Sequence, residues 1–256
     1  MTKYPIILVH GIAIREMKLI KAFGKIERKL TEAGYDAYTA NTDAFGSIEN
    51  NAKQLKEIIL KLIEDKKTEK VNIIAHSKGG LDAKHMIARL GMEDKVASLT
   101  TLCTPHKGSA IATKIWALPS PVKKSLAFFI NGFYKLIGDK SPDSIKVCEE
   151  LKSREEADGI VFSDKVYCQS YSTTLKSGKD CLLMATFMRI YNKVEGVDND
   201  GVVSVESAKF ENYRGECLDE SVSHTQIVDI FAKRKNRHKI FGFYIGLCDE
   251  LEKMGF

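Results

Sequence analysis

The hexapeptide Ala75-His76-Ser77-Lys78-Gly79-Gly80 constrains this chain more than any other segment. It follows the apolar run Val71-Asn72-Ile73-Ile74-Ala75 and precedes a helix-like stretch from Leu81 to Leu90. A serine on a sharp strand-to-helix turn is the local structure of a nucleophile elbow. Such a turn is crowded, so its flanks must be small. Ala75 and Gly79, two positions on either side of Ser77, meet that need, with alanine in place of the usual first glycine.

The segments around the elbow read as alternating strand and helix. Tyr4 to Val9 is a continuous apolar run, as suits a strand covered on both faces, and His10-Gly11 ends it. Leu19, Phe23, Ile26, Leu30 and Ala33 recur at helical spacing, with Gly34 as a stop. Tyr35 to Ala40 reads as a short strand. Ser47 can cap a helix whose face is Ile48, Ala52, Leu55, Ile59 and Leu62. Val96 to Cys103 is a further strand. This order predicts an α/β class with a mostly parallel sheet and helices on both faces.

The alternation stops from Lys107 to about Ser163. An apolar stretch there, containing Ile111, Trp116, Leu126, Phe128, Phe129 and Phe133, is broken by Pro119, Pro121 and Gly132. It reads as two or three short helices inserted above the sheet, either as ordinary core or as a lid (107–163) over a cleft. Lys165 to Tyr171 looks like a strand, and Asp180 to Val194 like a loop with a short helix. The pattern predicts a helix that starts near Ile227, and Ile240, Tyr244, Leu247, Leu251 and Met254 mark a C-terminal amphipathic helix. With 256 residues and no linker, the chain reads as one domain, 1–256.

Composition excludes several classes. The net charge is +5, and the lysines are scattered rather than clustered with aromatics, so no nucleic-acid partner is expected. Six cysteines without a C-x-x-C spacing exclude the common zinc and redox patterns. No run of apolar residues is long enough for a transmembrane helix. The N-terminal segment enters a strand with no signal-peptide pattern, which predicts a cytoplasmic location, or a secreted one if a leader has been removed.

A serine hydroxyl needs a base to take its proton, and the base needs an acid to orient it. Of the six histidines, His10, His76, His85 and His106 come too early or too close to Ser77 to be a late base. His238 sits among Arg234, Lys235, Arg237 and Lys239. His224, in a polar loop, is the candidate base. Asp200, in Asn199-Asp200-Gly201, is the first candidate for the acid, with Asp198 as its competitor and Glu195 and Glu206 behind. Two backbone N–H groups must face the developing oxyanion. Lys78 supplies one, and Ile12, after the tight turn at Gly11, the other.

Four motifs in this order resemble the bacterial triacylglycerol lipases of the Pseudomonas and Burkholderia type. They are Tyr4-Pro5-Ile6-Ile7-Leu8-Val9-His10-Gly11, Ala75 to Gly80, Thr104-Pro105-His106-Lys107-Gly108-Ser109, and Asn199-Asp200-Gly201-Val202-Val203. The Ala-His-Ser start is also similar to the small Bacillus lipases. The resemblance implies the α/β-hydrolase fold, hydrolysis of hydrophobic acyl esters through an acyl-enzyme, and a lid that meets lipid. It assigns Ser77 as nucleophile, Asp200 as acid, His224 as base, and Ile12 and Lys78 as the oxyanion amides. A soluble carboxylesterase or an acyltransferase with the same triad is the alternative. The chemistry itself requires no cofactor. The resemblance also implies a structural calcium near the histidine loop, with Asp180 as one ligand. Gln226, however, stands where the second aspartate belongs, which weakens a site for a hard cation. Glu206 stands where secreted members carry the second cysteine of a disulfide, in keeping with a reducing compartment.

Overall fold

The structure is a computed structural model that describes all residues except 18–20, 154–158, 161, 163 and 195. In chain order it begins with β1 (Ile6–Val9), α1 (Ile26–Glu32), β2 (Ala37–Ala40), α2 (Ile48–Lys66), β3 (Val71–His76) and α3 (Lys78–Arg89). Next come β4 (Val96–Leu102), α4 (Ala110–Trp116), α5 (Ser120–Leu136) and α6 (Ser144–Glu150). The chain ends with β5 (Tyr167–Ser172), α7 (Leu182–Val194), α8 (Val205–Ala208), β6 (Asn212–Glu216) and α9 (Arg234–Lys253).

The strands form one parallel sheet in the order β2-β1-β3-β4-β5-β6. Side chains alternate across a sheet, so an unbroken apolar strand needs cover on both faces. Ile6 and Leu8 of β1 pack on one face with α1 and α9, through Ile26, Leu30, Ile240 and Tyr244. Ile7 and Val9 pack on the other with α2 and α3, through Leu55, Ile59, Met86 and Ile87. Each such side chain contributes about 1.5–3 kcal/mol by leaving water. The chain leaves β1 toward β2 and returns on the opposite side at β3. The loops at the C-terminal ends of β1 and β3 therefore diverge into a crevice, where ligands of such sheets bind.

Several boundaries differ from the sequence reading. The first helix starts only at Ile26; Phe23 is buried but sits in a turn, and Leu19 lies outside the described residues. The Asp180–Val194 stretch contains a full helix, α7. No helix starts at Ile227; residues 224–229 form turns, and α9 begins at Arg234. Among the described residues, the segment between β4 and β5 carries three helices, α4 to α6, which lie over the C-terminal end of the sheet. No described helix is long and apolar enough to cross a membrane.

Candidate active site

Ser77 ends β3 and begins α3 with φ 55° and ψ −133°. A non-glycine residue in that region costs roughly 1–3 kcal/mol and persists only where its surroundings enforce it. Here the Ser77 N–H bonds Leu102 O at 2.9 Å, and Gly80 N–H bonds Ser77 O at 3.0 Å. The small flanks answer to close approach. A Cβ on Gly79 would lie 2.4 Å from His10 O and 2.7 Å from Val9 O. One on Gly11 would lie 2.7 Å from Ser77 Cβ. Gly11 does not have a positive φ. It is thus glycine because the β1 loop passes against Ser77, a different reason from the tight turn expected of it.

The structure brings His224 and Asp200 to Ser77. His224 Nε2 lies 2.8 Å from Ser77 Oγ, and its Nδ1 lies 2.7 Å from Asp200 Oδ2. A carboxylate only accepts hydrogen bonds, so Nδ1 carries the proton and Nε2 is free to accept from the serine hydroxyl. The other Asp200 oxygen accepts N–H bonds from Val202 at 2.9 Å and Val203 at 2.8 Å. The Asp200 carbonyl also accepts the His224 amide at 3.0 Å. Gly201, with φ 101°, makes the turn that lets Asp200 gather these donors. Burial favours neutral His224, but the charge and hydrogen bond of Asp200 outweigh it and raise the imidazole pKa above its usual value. Asp198, the competing acid, is exposed, and Glu206 pairs with Lys107 and Lys209 on the surface; Glu195 lies outside the described residues.

Lys78 is the first residue of α3, so its N–H has no acceptor within the helix. Ile12 lines the same cavity as Ser77, and no described hydrogen bond engages its N–H. Among the described hydrogen bonds, neither amide is engaged, so both can donate to a ligand oxygen. The Lys78 side chain turns away into the core. It is 1% exposed, and its Nζ lies 2.6 Å from Asp82 Oδ1, one helical turn on. Asp82 also accepts from Asn51 Nδ2 at 3.0 Å. Burial pushes the Asp82 carboxyl up to about 6, against the pull of Lys78 and Asn51.

Two neighbours were not assigned to the site from sequence. His76 packs its ring on His224 at 4.5 Å, and burial, with His224 beside it, holds its pKa well below the usual value. It therefore stays neutral next to the base. Cys103, directly after β4, is buried with its thiol 3.2 Å from Thr173 Oγ1. Its sulfur lies within 4.8 Å of the donor atoms of Asp200 and His224. Nothing in the sequence separates Cys103 from the other cysteines. His76 sits in the motif itself, too near Ser77 in sequence to be the late base. His106 is buried and stacked on Phe210, and His238 is exposed on α9.

The residues around Asp180 do not suit calcium. The Asp180 carboxylate pairs with Lys233 Nζ at 3.1 Å, and the same ammonium donates to Lys179 O at 3.0 Å. Gln226 Nε2 donates to Asp180 O at 2.9 Å. Oxygens that a dication would collect thus face an ammonium and an amide N–H. Asp229 is engaged by Arg237 Nε at 2.6 Å.

Above Ser77 lies a cavity of about 410 Å³, floored by Ser77 and His224. Its walls are mainly apolar and include Ile111, Trp116, Leu126, Ile130, Val147 and Phe187. One side of α5 (Leu126, Ala127, Ile130) faces this cavity. The other side exposes Phe128 (75%), Phe129 (68%) and Leu136 (84%) to water.

Comparison with known proteins agrees with this fold and extends the likeness. A family model described as palmitoyl protein thioesterase matches residues 5–192, which include Ser77 and Ile12 but stop short of Asp200 and His224. Triacylglycerol lipase 2 of Saccharomyces cerevisiae is 26% identical over 252 residues, spanning 90% of this chain and 73% of the yeast protein. A triacylglycerol lipase of Pseudarthrobacter phenanthrenivorans is 32% identical over 146 residues, 53% of this chain and 45% of that protein. The chain thus spans under half of this bacterial relative's length. The Staphylococcus hyicus lipase structure superposes with a TM-score of 0.71 at 15% identity, over 98% of this chain and 96% of that one. The fold is that of the α/β-hydrolases.

Proposed function

The chain belongs to the palmitoyl protein thioesterase family, and on that premise we propose that it hydrolyses esters of hydrophobic acyl groups through an acyl-enzyme on Ser77. The observation that carries this reading is the hydrogen-bonded line Ser77–His224–Asp200 at the floor of an apolar cavity. Ser77 Oγ attacks the acyl carbonyl while His224 Nε2 takes its proton. The oxyanion rests on the Ile12 and Lys78 amides, each of which contributes roughly 2.7–4 kcal/mol of transition-state stabilisation. His224 then protonates the departing alcohol. Water, activated by the same imidazole, attacks the acyl-enzyme and releases the acid. Asp200 keeps Nδ1 protonated throughout and stabilises the imidazolium as it forms.

The cavity supports an acyl chain as the recognised half of the substrate, because its apolar walls gain from every methylene buried, about 0.8 kcal/mol each. The relatives named triacylglycerol lipase support an oxygen ester, and the family description supports a thioester. Both share the acyl half and the tetrahedral intermediate. Residues 107–163 act as a lid in this reading, with the outer aromatics of α5 meeting a lipid surface. The site needs no metal, since Lys233 and Gln226 already brace the histidine loop.

A chain-length series of p-nitrophenyl esters and matched acyl thioesters tests this. Hydrolysis should rise from short to medium or long chains and disappear in Ser77→Ala. Turnover that ignores chain length, or survives the substitution, contradicts it.

A further inference from the structure

Ala13 follows the oxyanion residue Ile12 and holds φ 70°, a conformation a non-glycine residue keeps only under external restraint. The loop it belongs to, residues 10–16, has no regular secondary structure of its own. Its restraints come from elsewhere. The Ala13 N–H reaches Ala44 O at 3.3 Å, a long bond. The Ala13 carbonyl accepts from Tyr134 Oη of α5 at 2.6 Å. Two residues on, Arg15 Nη1 pairs with Asp139 Oδ1 at 2.6 Å, just past the end of α5. Side-chain exposure is 11% for Arg15 and 0% for Asp139, so this pair is shielded from water and salt in a way that surface pairs are not.

Asp139 is a junction. Besides Arg15 it accepts the backbone N–H groups of Ala44 at 3.0 Å and Phe45 at 2.9 Å. Asp43 returns the bond in kind, taking the N–H groups of Lys140 and Ser141 at 2.8 and 2.7 Å. This reciprocal clasp fixes the C-terminal end of α5 to the loop after β2. Arg15 then fastens the oxyanion loop to the clasp. The covering helix and the Ile12 amide are therefore joined through one buried carboxylate.

We propose that Arg15 and Asp139, aided by Tyr134, are positioning residues that hold the Ile12 N–H aimed at the oxyanion. Neither side chain touches the reacting atoms. Their effect is on the transition state, because the amide matters where charge develops on oxygen and little where an alkyl chain merely fills the cavity. The inference rests on the reading of Ser77 as nucleophile and Ile12 as oxyanion donor.

The experiment compares two inhibitors across variants. An alkyl trifluoromethyl ketone adds to Ser77 Oγ, and its carbonyl oxygen becomes the oxyanion as the serine proton passes to His224. An alkyl methyl ether of the same length fills the cavity and forms no oxyanion. Arg15→Gln should weaken the ketone by roughly tenfold, a fraction of the 10²–10³ lost when a donor is removed outright. It should leave the ether unchanged. Arg15→Lys, which keeps a cation for Asp139, should recover most of the loss. Tyr134→Phe retains the ring against Phe45 and should show a smaller loss with the same selectivity. It also carries the test if Arg15→Gln does not fold. Equal loss for both inhibitors, or no loss for either, overturns the inference. A wild-type protein that binds the ether but forms no adduct with the ketone overturns the nucleophile reading, and the inference with it.

Discussion

Lys78 and Asp82 form a buried ion pair at 2.6 Å, one helical turn apart, in the helix that begins directly after Ser77. Lys78 thus works at two levels in the proposed reading, its amide as an oxyanion donor and its side chain anchoring the first turn of α3. Asp82 passes the link to Asn51 of α2, which also donates to Asp43 O at 2.9 Å. The elbow is held from below by charge as well as by packing.

Removing one member of such a pair strands the other. Lys78→Met should destabilise the fold by about 3–5 kcal/mol, because Asp82 is left buried without its cation. Lys78→Met with Asp82→Leu should recover most of that loss. Urea denaturation of the three proteins checks it, and equal stability of the single and double variants would contradict it.

The pH dependence of turnover follows from His224. The base must be neutral to accept the proton of Ser77, so activity rises with pH through its pKa. Asp200 raises that pKa, placing the rise above the usual imidazole value near 6.5. Asp200→Asn should move the midpoint to lower pH, since the charge that favoured the imidazolium is gone. It should also lower kcat by about 10⁴-fold. A pH–rate profile on a soluble ester measures both.

How much of this was legible in the sequence depended on whether chemistry or packing chose the residue. Ser77, Asp200 and His224 could be placed because the elbow needs small neighbours and the three come in a set chain order. Strand β6 could not. Its sequence, Asn-Tyr-Arg-Gly-Glu, carries no apolar alternation because it pairs only with β5 at the edge of the sheet. Helix α7 was hidden because its first turn exposes an apolar residue: Leu182 is 82% exposed while Met184, two residues on, is buried. Asp139 and Arg15 are far apart in sequence, and only their burial marks them.

The outer face of α5 should govern binding to lipid without touching the chemistry. Phe128→Ser with Phe129→Ser removes two exposed aromatic anchors, each worth about 1.5–3 kcal/mol when buried. Vesicle sedimentation should show binding weaker by roughly 100-fold or more. Hydrolysis of a short soluble ester should stay within about twofold. Loss of both together would show that these residues serve the fold instead.

The histidine loop should tolerate a chelator. With Asp180 and Lys179 O taken up by Lys233, EDTA should leave activity and melting temperature unchanged. Lys233→Met should lower the melting temperature by about 2–4 °C, the size of a partly exposed pair worth about 1 kcal/mol. A melting temperature that falls with EDTA and recovers with calcium in the wild-type protein would contradict this.

The most direct test of the account is covalent capture of the nucleophile. An alkyl fluorophosphonate is incubated with the protein, and the modified peptide is identified by mass spectrometry. A single adduct on Ser77, abolished in Ser77→Ala and slowed by orders of magnitude in His224→Ala, is the predicted result. No adduct, an adduct on another residue, or full esterase activity in Ser77→Ala would contradict it.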